Sequence, residues 1–185
     1  MRLDHIAYRV KDRFKAAQLF IDAFDYSIDE RVPTGFQIKF DDNTKADCLV
    51  LVPPEVIAHE LPFTNLLPLG NTENIQYHMA PEIFISDGSP NSVVDKWVNA
   101  RGGIGGIHHL AYQVDSVAQT MKKWKENGWA QFTTEHPISC PGLTQVFTRP
   151  MEITGGIIYE FIERETFGFC KDNVRDLMES TKDIK

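Results

Sequence analysis

Leu3–Val10 (LDHIAYRV) and Ile107–Val114 (IHHLAYQV) are two copies of one apolar-rich octet, each reading as a strand. Behind each octet the period changes to a helical one. Phe14, Ala17, Leu19, Phe20, Ala23 and Phe24 stand opposite Arg13, Lys15, Gln18 and Asp22, and Val117, Met121 and Trp124 recur among Gln119, Lys122, Lys123 and Glu126. The octets align His5 on His109, Ala7 on Ala111, Tyr8 on Tyr112 and Val10 on Val114. Two copies of a strand–helix unit, repeating at about half the chain length, predict paired modules that complete one another's core.

The rest of the pattern extends each copy. Phe36–Phe40 (FQIKF) and Asp47–Val52 (DCLVLV) read as strands around the turn-forming Asp41-Asp42-Asn43-Thr44, and Pro53-Pro54 closes this hairpin. From Glu55 to about Pro90 the periodicity fades among Pro62, Pro68, Gly70, Pro81 and Gly88, a connection of the long kind that often lines a site. Ser92–Ala100 predicts a short helix stopped by Arg101-Gly102-Gly103. Trp129–Thr134, Leu143–Thr148 and Gly156–Glu163 predict three strands, and Asn173–Thr181 a final helix. The expected class is α+β, with two tandem βαβββ modules (about 1–80 and 105–165) and a C-terminal cap over 166–185 within one domain.

Composition narrows the function. At 185 residues, with 42% hydrophobic and 24% charged residues, the chain is expected to be a soluble globular protein. Its net charge of −7, with no Lys/Arg block, argues against nucleic acid and for a small-molecule partner. Charge in Met1-Arg2-Leu3-Asp4 and the lack of a bilayer-length apolar run lead to an expected cytoplasmic location without membrane contact. Cys48, Cys140 and Cys170, odd in number and widely spaced, read as reduced thiols.

Strand alternation puts His5 on one face with Ala7 and Arg9, and His109 likewise with Ala111. Glu160 shares its face with Ile158 and Ile162, an apolar setting in which a carboxylate needs a partner. Two histidines and one carboxylate from separate strands would form a 2-His-1-carboxylate facial triad with open positions on a metal. The plainer alternative, two hydrogen-bonded strand histidines, is weakened by their repetition in register. His108 is the alternative to His109, but its parity sets it on the helix side with Leu110 and Tyr112, and Asp4 offers no matching histidine; His59, His78 and His136 read as solvated.

With these positions in place, the chain resembles the vicinal oxygen chelate superfamily over essentially its whole length. TQVFTRPM (Thr144–Met151), YEFIER (Tyr159–Arg164) and GFCKDNVRDLME (168–179) resemble motifs of the 4-hydroxyphenylpyruvate dioxygenase C-terminal domain. The resemblance implies a curved mixed sheet around a metal cavity, with Fe(II) held by His5, His109 and Glu160; Mn, Co, Ni or Zn are the other candidates. It also implies Gln145 approaching substrate, Phe147 as an aromatic wall, and Phe169 with the last helix capping the cavity. The implied partners are O2, a small oxygen-chelating substrate such as a 2-oxo acid, and a second copy in a homodimer. GGIHHLAYQVDSV (Gly105–Val117) is also similar to methylmalonyl-CoA epimerase. That likeness implies a metal-dependent epimerase or isomerase of the epimerase or glyoxalase type, while other members of the superfamily are non-catalytic small-ligand binders. Epimerases place a fourth ligand on the last strand of module one, where this reading puts Leu49, and a proton-abstracting carboxylate on the strand where only Gln37 and Lys39 are offered.

Overall fold

In the computed structural model, which describes residues 1–54, 80–165 and 168–184, the first half runs β1 (Arg2–Val10), α1 (Arg13–Phe24), β2 (Ser27–Ile28), β3 (Phe36–Lys39), β4 (Lys45–Val52) and β5 (Glu82–Gly88). The helix α2 (Val93–Asn99) leads into the second half: β6 (Gly105–Gln113), α3 (Val117–Glu126), β7 (Ile138–Cys140), β8 (Leu143–Phe147), β9 (Ile158–Arg164) and α4 (Lys171–Glu179). Side chains cap the starts of α1, α2 and α3: Asp12 accepts from the amides of Phe14 and Lys15, Ser92 from Asp95 and Ser116 from Gln119.

The strands lie in the order β2-β4-β5-β1-β6-β9-β8-β7, with β3 also on β4, in one open mixed sheet. In each half the first strand runs parallel to the last, β1 beside β5 and β6 beside β9, while β1 and β6 pair antiparallel at the seam. Gly105 makes that seam possible: its φ is 81°, and a Cβ there would stand 2.1 Å from the Arg9 carbonyl oxygen.

Alternation along β1 divides the core. Ile6, Tyr8 and Val10 face α1 and pack with Ala17, Phe20, Leu49, Leu51, Ile83 and Ile85. On the same outer side α3 packs Val117, Met121 and Trp124 against Tyr112, Val146 and Phe161. The opposite face is covered by α2 and α4, whose Val94, Trp97, Val98, Val174 and Met178 close over Ala7, Cys48, Val50 and Phe84. His5, Ala7 and Arg9 are buried on this second face.

Three sequence expectations change. The segment 82–88, read as part of a long connection, forms β5, whose apolar run Ile83–Ile85 is buried on both faces. Trp129–Thr134 forms no strand; only Phe132 makes an isolated bridge, to Thr148, and β7 occupies the edge instead. Leu49 lies on the penultimate strand of module one and packs toward α1. The cysteines are free, and His136 is exposed, as expected. His59, His78 and most of the 55–90 connection lie outside the described residues.

Candidate metal centre

Two cross-strand rows build the site. In one, His5 lies opposite Ala111, which lies opposite Glu160; in the other, Phe84 lies opposite Ala7, which lies opposite His109. The repeated His-x-Ala spacing therefore sets a small residue of each copy against the histidine of the other. This clears a space into which side chains from β1, β6 and β9 converge. A pseudo-twofold exchange of the rows matches Glu160 with Phe84, which stands where a fourth donor would come from module one.

The donor atoms form a tight triangle. His5 Nε2 and His109 Nε2 are 3.2 Å apart, and Glu160 Oε2 is 3.3 Å from the first and 3.0 Å from the second. Donors bonded at about 2.1 Å to one ion would be separated by about 3.0 Å at right angles and about 3.4 Å at tetrahedral angles. The set fits a divalent first-row metal, and it is the one such cluster among the described residues.

The surrounding shell fixes these donors. Asp4 Oδ1 accepts from His5 Nδ1 at 2.9 Å and from Arg164 Nη2 at 2.7 Å, so a neutral His5 turns its Nε2 lone pair to the site. Arg164 also donates to the Gly168 carbonyl and lies 5.4 Å from the Phe169 ring. Gln145 Nε2 donates to Glu160 Oε1 at 2.6 Å, while Asn173 Nδ2 donates to Gln145 Oε1 at 3.2 Å. His109 Nδ1 faces His108 Nδ1 at 2.8 Å.

The metal-free charges are strongly coupled. Burial opposes a cationic His5, yet the Glu160 charge and the Asp4 hydrogen bond hold its pKa up at about 9. Burial would raise Glu160, but the His5 charge and hydrogen bonds from both histidines hold it well below the carboxylate range. Burial lowers His109, and the His5 charge adds to this against the pull of Glu160. Burial and the Arg9 charge push His108 well down, and burial brings Arg9 itself to about 9.

Every site residue anticipated from sequence lines one cavity: His5, His109, Glu160, Gln145, Phe147 and Phe169. Phe147 lies 4.6 Å from the His109 ring, and Phe169 lies 5.2 Å from His5 and 5.1 Å from Phe84. The Gln145 amide is engaged at both ends by Glu160 and Asn173. Gln37 is bonded to Asp47 and Lys39 is exposed, and neither lines the cavity. The cavity is partly open to solvent, and about 30 Å3 of it is roomy enough for water.

Sequence reasoning missed Asp4 and put His108 on the wrong face, and the same kind of irregularity accounts for both. The β1–β6 register slips between Leu3 and His5, where Asp4 is the extra residue, and between Ala7 and Tyr8, where His108 is extra. Each bulge turns the neighbour of a site histidine toward it, so His108 is buried in the cavity wall and not on the helix side. Phe84 and Asn173 were missed as well. A short apolar run just before Ser92 was the available sign of Phe84.

No protein-family model matches the sequence, and no curated protein matches it. Solved structures do. A variant of 4-hydroxymandelate synthase from Streptomyces coelicolor is 18% identical with a TM-score of 0.69, covering 98% of this chain and 53% of its own. A methylmalonyl-CoA epimerase is 18% identical with a TM-score of 0.60, covering 90% of this chain and 97% of its own. The methylmalonyl-CoA epimerase from Mycobacterium tuberculosis is 18% identical with a TM-score of 0.58, covering 89% of each chain. The chain spans about half of the synthase and nearly all of the epimerases. The likeness establishes the fold, an open α+β mixed sheet that this chain shares with those structures. No helix among the described residues is long and apolar enough to cross a membrane.

Proposed function

We propose that this chain is an Fe(II)-dependent oxygenase acting on a small substrate that chelates through adjacent oxygens, a 2-oxo acid in the first instance. The observation that carries the reading is a three-donor set with Phe84 at the fourth place. Two imidazoles and one carboxylate on one side of an ion leave the other side for substrate oxygens and dioxygen. Bound there, iron would supply Lewis acidity and redox capacity.

The chain's own residues do the rest. Asp4, held by Arg164, fixes the His5 tautomer, and Gln145, held by Asn173, fixes the Glu160 rotamer. Phe84, Phe147 and Phe169 make the walls apolar, which excludes water and strengthens every polar contact inside. Phe169 and α4 form the wall beside which substrate would enter, with Val174, Leu177 and Met178 lining it. Among the described lining residues Glu160 is the single carboxylate, so no second acid is placed to move a proton.

The second reading is a metal-dependent epimerase or isomerase, supported by the near full-length match to epimerase structures. Oxygen uptake by the Fe(II)-loaded protein over a panel of 2-oxo acids separates the two. The oxygenase consumes O2 in proportion to substrate. The isomerase consumes none and exchanges substrate C–H for solvent deuterium without air.

A further inference from the structure

Away from the triad, the cavity wall carries two buried nitrogen atoms without a hydrogen-bond partner among the described residues: Arg9 Nη1 and His108 Nε2. Arg9 is 2% exposed, and among the described residues no carboxylate pairs with it. Its recorded contacts are Nη2 to Thr181 Oγ1 at 3.0 Å and the Trp97 ring at 5.9 Å. A second guanidinium, Arg101, lies 3.7 Å from the centre of that same ring and adds to the positive charge. A buried cation is costly unless an anion and hydrogen bonds compensate it. In a chain of net charge −7, where acids outnumber bases, the lack of a carboxylate partner among the described residues points to an external anion.

The tautomers at the metal centre point the same way. Ligation through His109 Nε2 leaves the proton on its Nδ1, which donates to His108 Nδ1 at 2.8 Å. The proton of a neutral His108 is then on Nε2. This group becomes an unpaired N–H donor on the same wall as the Arg9 fork.

We propose that Arg9 Nη1 and His108 Nε2–H bind a carboxylate at the far end of the substrate, so that the preferred substrate is a 2-oxo diacid. The inference rests on the metal-chelation reading for the near end and on the cavity wall alone for the far end. A carboxylate matches the planar fork of Arg9 and is small enough for the confined space. Arg9 would then be a specificity-determining residue.

The test compares 2-oxoadipate with 2-oxohexanoate, which differ in the terminal carboxylate. With Co(II)-loaded full-length protein, calorimetry is expected to show 2-oxoadipate binding at least about tenfold tighter, as a charge-assisted pair requires. Arg9→Met should bring 2-oxoadipate down to the 2-oxohexanoate level while Co(II) binding is unchanged, and Arg9→Lys should retain part of the preference. Absence of preference in the wild type, or its survival in Arg9→Met, overturns the proposal. Metal-free wild-type protein tests the far end by itself. The Arg9 guanidinium NMR resonance should shift with 2-oxoadipate and not with 2-oxohexanoate, and equal responses overturn the anion site. Failure of Co(II) to bind overturns the metal reading and leaves this second measurement decisive for Arg9.

Discussion

At neutral pH a metal ion entering this site must displace a proton from His5. Glu160 and Asp4 together hold that imidazole at about 9 against burial, whereas His109 is lowered, so one proton and not two stands in the way. At pH 7 about one molecule in a hundred has a neutral His5, which lowers apparent metal affinity about 100-fold, or about 3 kcal/mol. Affinity should rise about tenfold per pH unit, hence about 30-fold between pH 7 and 8.5, and level off above the pKa. Calorimetric titration with Co(II) in two buffers of different ionisation enthalpy counts the protons directly, and about one should be released at pH 7. Release of none or of two, or an affinity flat with pH, would refute the coupling of His5 to Glu160. Stability of the metal-free protein runs the other way. His5 is raised above its ordinary 6.5, so its contribution is complete below that value. It is lost as pH rises through about 9, a fall of about 3 kcal/mol that urea melts across this window would register.

Other expectations follow from the same contacts. Asp4→Asn replaces the carboxylate that fixes the His5 tautomer and should weaken Co(II) binding about 10- to 100-fold, read by competition with a chelator. Glu160→Ala should abolish metal occupancy, measured by elemental analysis. It strands the Gln145 amide and should cost about 1–3 kcal/mol in denaturant melts, with the circular dichroism spectrum retained. Phe84→Gln places a polar donor opposite Glu160 in the pseudo-twofold; metal should be held at least as tightly while substrate-dependent oxygen uptake falls.

Much of this site was legible in the sequence because the repeat is a physical device. His5 with Ala7, and His109 with Ala111, are visible as a motif since each alanine makes room for the other copy's histidine. Glu160 was legible as a carboxylate in an apolar strand. The chemistry around them was hidden by geometry that strict alternation does not contain. Asp4 and His108 reach the site through bulges, where a one-residue slip reverses the facing of a side chain. Phe84 was obscured because a strand buried on both faces has no alternation to read, and the turn-rich segment before it drew β5 into a loop assignment. The same error put Leu49 in the place of a ligand. The lack of a carboxylate partner for Arg9 among the described residues is a property of the assembled wall, and nothing in its neighbours along β1 announces it.

An oxygen electrode separates the oxygenase from the isomerase. Anaerobically purified protein, loaded with Fe(II), is mixed with 2-oxo acids in air-saturated buffer, with Glu160→Ala as the control. Substrate-dependent oxygen uptake is expected, lost in Glu160→Ala and in the metal-free protein. Metal bound at His5, His109 and Glu160 with no uptake on any 2-oxo acid, and deuterium exchange into the substrate in its place, would contradict the oxygenase and establish the isomerase.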